Sequence, residues 1–148
     1  MALPRIQDDP LQGYDVGAQV GFLLRRAHQR HAALFQEGMA TWDLTPTQFT
    51  ALIRLVEFGR LTQNHLGRLA AMDPATIQGV VRRLVARGLI ARARDPADRR
   101  TTVLAPTPSG TRLAAQAAQA ARAITAATLA PLPPPERLQF LSLLGRVA

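Results

Sequence analysis

The sequence predicts a mainly α-helical fold of six helices with one short β-hairpin. Three observations predict it: apolar residues recur at spacings of three and four, capping residues and glycines separate those stretches, and two strand candidates flank a turn between Leu89 and Ala105. At 148 residues the chain has room for one domain with one sizeable core. Of its residues 47% are hydrophobic and 19% charged, and no apolar run approaches the ~20 residues of a membrane span, so a soluble globular protein is expected. The segment from Met1 to Pro10, with Asp8 and Asp9, lacks the apolar stretch of a secretory signal, and a cytoplasmic location follows as an expectation. The chain has no cysteine, which excludes disulfides, thiolate metal sites and cysteine redox switching.

The first helical pattern runs from about Asp15 to Met39, with Val16, Val20, Leu23, Leu24, Ala27, Leu34 and Phe35 in register. After a break at Gly38 to Asp43, Thr45-Pro46-Thr47-Gln48 forms a capping box, with Thr45 as N-cap and proline at the first helical position. The second helix buries Phe49, Leu52, Ile53 and Val56 and stops at Gly59. Thr62 caps a short third helix carrying Leu66, Leu69 and Ala70. Asp73 and Pro74 open the fourth, whose core positions are Ile77, Val80, Val81, Leu84 and Val85 and which Gly88 closes. Only Ala71 and Met72 separate the third helix from the Asp73 cap, which forces the crossed arrangement of a helix-turn-helix. Leu89 to Arg94 and Thr101 to Ala105 are strands joined by the turn chemistry of Asp95-Pro96-Ala97-Asp98-Arg99. From Thr107 a long alanine-rich helix carries Leu113, Ile124 and Leu129. Pro131 to Pro135 breaks it, and Glu136 to Val147 forms the last helix with Leu138, Leu141 and Leu144.

The formal net charge is +8, and all 18 basic residues are arginine. Lysine is absent, which fits a GC-rich genome, and arginine also suits bidentate contact with phosphate and guanine. Seven arginines lie between Arg82 and Arg100 against Asp95 and Asp98, so one short stretch holds +5 of the excess. Opposite the core side of the fourth helix stand Ala75, Gly79, Arg82, Arg83 and Ala86, edged by Thr76 and Gln78. That face is small and basic, and Gly79 in its middle costs about 1 kcal/mol relative to alanine. Close approach to DNA accounts for it, since Thr, Gln and Arg read base edges in a major groove wide enough for one helix. A solvated charged face is the plainer alternative. Arg94, Arg99 and Arg100 on the following hairpin are placed to reach the flanking minor groove. Asp98 beside them is read as structural, pairing locally to hold the turn.

Arg87-Gly88-Leu89-Ile90, the run Asp95-Pro96-Ala97-Asp98-Arg99-Arg100, and Thr107-Pro108-Ser109-Gly110 stand in an order and spacing that resemble the MarR family of bacterial transcriptional regulators. Leu44-Thr45-Pro46-x-Gln48, Leu69-Ala70 and Pro133 to Glu136 extend the resemblance over nearly the whole chain. The chain departs from the family pattern at Gly79, where arginine is frequent, at Ala91, where glutamate is, and at Pro106, where leucine is usual. The resemblance implies a winged helix-turn-helix lobe at 45–106, a dimerisation region at 12–44 and 107–148, and a homodimer on a pseudo-palindromic double-stranded operator. Thr62 joins the DNA-facing set on the same ground. The apolar positions of the first and last helices, too many for a small winged-helix core to cover, independently favour the dimer.

The resemblance also implies an effector pocket beside the dimerisation helices. On the first helix Arg30 and His31 fall on the side of Val20, Ala27 and Leu34, with Arg26 and His28 flanking, and inward-facing cations need a partner. Two readings stand open: contact with an anionic ligand, or a structural role through salt bridges between subunits to Glu37, Asp43 or Glu57, or through polar satisfaction of a buried histidine. Phe35, Trp42 and Phe49 are candidates for an aromatic wall. The run Arg26-x-His28-Gln29-Arg30-His31 is similar to that of family members regulating aromatic-acid catabolism, some responding to aromatic acyl-CoA thioesters, so the effector implied is an aromatic acid or its CoA thioester. An enzyme is disfavoured, because the chain has no glycine-rich phosphate loop, no HExxH and no nucleophile elbow; no cofactor or metal is expected. A constitutive DNA-binding protein without an effector is the rival reading.

Overall fold

The computed structural model describes residues 10–148, so the segment read for a secretory signal lies outside the described residues apart from Pro10. Among the described residues the order of elements is α1 (Val20–Gly38), α2 (Pro46–Phe58), α3 (Gln63–Leu69), α4 (Pro74–Ala86), β1 (Ile90–Arg94), β2 (Thr102–Pro106), α5 (Pro108–Leu129) and α6 (Pro134–Val147). This is the mainly helical fold with a hairpin wing that the sequence predicts.

Most helix starts have the predicted local cause. Thr45 Oγ1 accepts from Gln48 N and Gln48 Oε1 accepts from Thr45 N, each at 3.3 Å, which completes the capping box. Thr62, Asp73 and Thr107 cap α3, α4 and α5 by accepting from the amides of His65, Thr76 and Gly110. Two boundaries differ from expectation. Asp15 does not open α1: its carboxylate accepts from Gly17 N at 2.8 Å, Val16–Ala18 forms a 3₁₀ turn, and Gln19 is extended. A short acidic side chain bonded to its own backbone competes with the helix, which therefore begins at Val20. Conversely α6 begins at Pro134 rather than Glu136, because the first helical turn needs no N–H and proline presets its φ.

Tight crossings set how the helices pack. Between α3 and α4, Ala71 takes φ +54° and Met72 N donates to Gly67 O at 2.8 Å. A Cβ on Gly67 would come within 3.2 Å of Ile77 Cγ2, so glycine lets these helices close on each other. The core is continuous from Leu52, Leu55, Leu66 and Leu84 of the helix-turn-helix lobe to Phe35 and Met39 of α1 and Ala117 and Ile124 of α5. Removing one such leucine side chain typically costs about 2 to 5 kcal/mol.

The hairpin is antiparallel, with Arg92 opposite Leu104 and Arg94 opposite Thr102. Leu61 adds a single further rung: Leu104 N donates to Leu61 O at 2.7 Å and Leu61 N to Leu104 O at 3.1 Å. The wing then runs directly into α5. Thr107 N donates to Leu89 O at 3.0 Å and Thr107 Oγ1 to Gly88 O at 2.6 Å, while a Cβ on Gly110 would lie 1.8 Å from Leu89 O.

At the other end of the fold, apolar surface is left uncovered. No residue of α6 is buried; Leu138 is 75% exposed, Val147 74%, and Val20 on α1 69%. No helix among the described residues is long and apolar enough to cross a membrane.

Gly110→Ala should lower stability by about 3 kcal/mol or more, the upper range for overpacking, measured as a shift of the urea midpoint. A shift of a few tenths would show that Leu89 can move aside.

Candidate nucleic-acid interface and effector cleft

Burial of Ile77, Val80, Val81 and Leu84 turns one side of α4 into the core and leaves Ala75, Thr76, Gln78, Arg82 and Arg83 exposed on the other. Gly79 is half-buried among them. A Cβ there would lie 3.7 Å from Arg83 Nη1, an ordinary contact, so no neighbour within the chain demands glycine at that point. Thr76 is partly committed: its amide donates to Asp73 Oδ1 at 2.7 Å and its hydroxyl to Asp73 Oδ2 at 3.0 Å. The hydroxyl hydrogen is spent, and only its lone pairs remain to accept. The same two bonds, the backbone one foremost, hold the Asp73 carboxyl below its ordinary range. The cap is thereby kept ionised at the positive end of α4. Gln78 retains its whole amide.

On the wing, Arg94 Nη1 has only long contacts, 3.4 Å to Thr102 Oγ1 and 3.5 Å to Arg100 O. The expected pairing of Asp98 with neighbouring arginines is corrected. Its carboxylate accepts from Arg100 N and from the Thr101 hydroxyl, each at 3.0 Å, because a turn aspartate reaches the backbone two residues on more readily than it holds a flexible guanidinium. Asp95 accepts from Ala97 N in the same way, at 2.9 Å. Among the described residues, the guanidinium groups of Arg82, Arg83, Arg92, Arg99 and Arg100 have neither acceptor nor acid partner, and the ion pair present is Arg54 with Glu57 on α2. Arg92, which the sequence reading did not single out, shares the face of Arg94 through the two-residue period of β1. Thr62 is half-buried and its hydroxyl oxygen is engaged as the α3 cap.

Between α1, the end of α5 and α6 lies a cleft of about 470 Å³ lined by His28, Arg30 and His31 together with Thr128, Leu129 and Phe140. Arg30 donates through Nη2 to Ala127 O at 2.8 Å and through Nη1 to Thr128 O. A cation at those carbonyls satisfies a helix C-terminus and opposes its dipole. Ion pairs from Arg30 to Glu37, Asp43 or Glu57 do not form within the chain: Glu37 lies seven residues along α1, roughly 10 Å away, and Glu57 is held by Arg54. His31 Nδ1 lies 2.9 Å from Thr128 Oγ1, whose own hydrogen goes to Ile124 O at 2.8 Å. Nδ1 is therefore the donor, and in the neutral ring Nε2 is an acceptor.

Arg26 and Trp42 do not line this cleft. Arg26 lies over the Phe22 ring, 5.8 Å from its centroid, and Trp42 packs on the core with its indole N–H donating to Gln116 Oε1 at 3.2 Å. Phe49 borders a shallower adjoining groove with Ile53 and Arg122 and meets buried Phe35 edge-on at 5.9 Å. The three aromatics thus do not form one wall, since helical spacing directs Phe35 into the core. Thr128 and Phe140 had no signal in the sequence, because only the tertiary fold brings α5 and α6 beside α1.

The sequence pattern of the MarR family matches residues 42–101. The HTH-type transcriptional repressor NicR of Pseudomonas putida is 46% identical over 100 residues, which cover 68% of this chain and 63% of that protein, so the match spans less than two thirds of that relative's length. A probable transcriptional regulator from Pseudomonas aeruginosa superposes with a TM-score of 0.86 at 48% identity, over 90% of this chain and 100% of the other. BpsR of Bordetella bronchiseptica, whose DNA binding is regulated by 6-hydroxynicotinic acid, superposes with a TM-score of 0.85 at 40% identity, over 90% of this chain and 96% of the other. Likeness that holds in sequence and in backbone over nine tenths of its length means that the chain belongs to the MarR family.

Proposed function

We propose that the protein is a dimeric transcriptional repressor that binds a pseudo-palindromic DNA duplex and releases it when a small aromatic acid enters the cleft beside α1. One observation carries the DNA reading: a row of unpaired guanidinium groups runs from the exposed side of α4 onto the hairpin, beside the small residues Ala75 and Gly79. In this reading α4 enters the major groove, where Gln78, Arg82 and Arg83 meet base edges and Thr76 accepts. Arg94, Arg99 and Arg100 on the wing hold phosphate and the flanking minor groove, Asp98 shapes the wing turn, and Thr62 brings the start of α3 to the backbone. The lobe is 45–106. The segments 12–44 and 107–148 supply the dimer interface, a role favoured by the uncovered apolar faces of α1 and α6.

The cleft carries the effector reading. His31 Nε2 suits a donor on a ring, the unspent N–H groups of Arg30 suit a carboxylate, and His28 adds a polar edge. A volume of about 470 Å³ falls in the range of small-molecule sites, whereas the nucleotide part of a CoA thioester would extend outside it. BpsR supports the choice of a free aromatic acid.

Arg99→Ala or Arg100→Ala should weaken binding to every duplex and reduce the slope of log affinity against log salt by about 1 per lost phosphate contact, whereas Gln78→Ala should change base preference at one position by ~1 to 3 kcal/mol. Equal loss of sequence preference in both groups would sink this division. Gly79→Ala should stabilise the free protein by up to about 1 kcal/mol while weakening specific binding; unchanged affinity would show that the glycine serves no close approach.

For the effector, 6-hydroxynicotinic acid should raise the melting temperature and lower affinity for the selected duplex about 5- to 150-fold. Arg30→Ala should keep duplex binding and lose that response. A response to coenzyme A thioesters alone would replace the free acid, no response to either class would favour a constitutive DNA-binding protein, and failure of the variant to dimerise would assign Arg30 to structure only.

A further inference from the structure

Arg87 belongs to the most basic stretch of the chain and is exposed, yet unlike its neighbours Arg82 and Arg83 its guanidinium is tied to backbone acceptors. It is the C-cap residue of α4, and its guanidinium spans two consecutive backbone carbonyls, Nη1 donating to Asp43 O at 2.6 Å and Nη2 to Trp42 O at 2.8 Å. Those carbonyls end the 3₁₀ turn Ala40–Trp42 that links α1 to α2, and Asp43 holds a left-handed conformation with φ +49°. Aspartate is among the few non-glycine residues that visit this conformation, and Arg87 holds its carbonyl from the end of α4. Trp42 carries the tie onward, since its indole N–H bonds Gln116 of α5.

Apart from the hydrogen-bonded junction at Gly88 and Leu89 that leads into the wing and α5, α4 meets the rest of the molecule through apolar packing in the core, which resists separation but does not by itself fix an angle to α1. Two charge-assisted bonds from a planar fork fix both distance and direction. They are made at the end of the helix farthest from its Asp73 cap, where a small rotation displaces the exposed side most.

We infer that Arg87 is a positioning residue that sets the pitch of α4 against α1 and α5, and through it the half-site spacing that the dimer accepts. This rests on the DNA-binding reading above. The rigid tie also gives a tilt of α1 or α5 a route to α4 that does not pass through the α2 core. Two of the five guanidinium N–H groups are committed to carbonyls, and in this inference Arg87 acts through the tie and not as a phosphate contact.

The experiment uses the full-length protein and a duplex that the wild type selects from a random-sequence pool, together with versions carrying one base pair inserted or deleted between the half-sites. Wild type should lose about tenfold or more in affinity on either change of spacing. Arg87→Gln should bind the three duplexes within about threefold of one another, with an unaltered slope against log salt. Arg87→Lys should behave like Arg87→Gln, because an ammonium keeps the charge but lacks the planar pair of donors; it also serves if Arg87→Gln fails to fold. Trp42→Phe, which removes only the indole N–H from the tie, should relax spacing in the same direction. Full spacing selectivity in Arg87→Lys, or a reduced salt slope in Arg87→Gln, would overturn the inference and make Arg87 a plain phosphate contact. If wild type selects no duplex at all, the DNA-binding reading itself fails.

Discussion

The backbone at Leu89 meets the first turn of α5 at a distance that admits no side chain, and this junction orients everything around it. Gly110 rests on the Leu89 carbonyl, which also accepts from Thr107 N, while the Thr107 hydroxyl reaches Gly88 O. Leu89 N in turn donates to Leu84 O inside α4. Within a few residues the end of α4, the base of the wing and the start of a 22-residue helix are joined by backbone bonds. The direction of α5 is therefore inherited from α4, and the cleft at its far end is built on an axis that begins beside the helix-turn-helix lobe. Gly38, whose Cβ would fall 2.7 Å from Ile124 Cγ1, closes the arrangement by letting α1 lie against that axis.

Much of this was legible because the signals are local. Capping residues at Thr45, Thr62, Asp73 and Thr107 mark helix starts by bonds made within three residues, and the core side of α4 follows from a period of 3.6. The Leu61 rung left no trace, since a strand of one residue has no period. The candidate cleft was half legible: the inward side of α1 pointed to Arg30 and His31 with Arg26 and His28 flanking, but Arg26 is turned to Phe22, and Trp42, read as part of an aromatic wall, is held by Gln116. The cleft's other wall belongs to helices more than 90 residues away in sequence.

Arginine shows most clearly where counting charges stops working. Arg30 and Arg87 each fork onto two neighbouring carbonyls, one at the end of α5 and one at the end of the α1–α2 turn. Both ends would otherwise present orphan acceptors. A chain without lysine meets such needs with the same residue type that the proposed DNA contacts require, and only the acceptor found in three dimensions separates the two uses. The aspartates of the wing turn bond amides and a hydroxyl rather than guanidinium groups, so the neighbouring cations remain available.

The single Leu61–Leu104 rung divides the wing into a base stitched to the lobe and a tip that is only two-stranded. Two-stranded ribbons are marginal in water. Amide protons at Leu61 and Leu104 should therefore be released by openings of the lobe, whereas those of the 95–101 turn should exchange by fraying of the tip alone. Any fraying of this tip that a polyanion had to suppress would cost entropy and would shorten the protein's stay on unrelated sequence. Fast release from wrong sites is what allows a basic protein to move along a genome instead of being trapped on it.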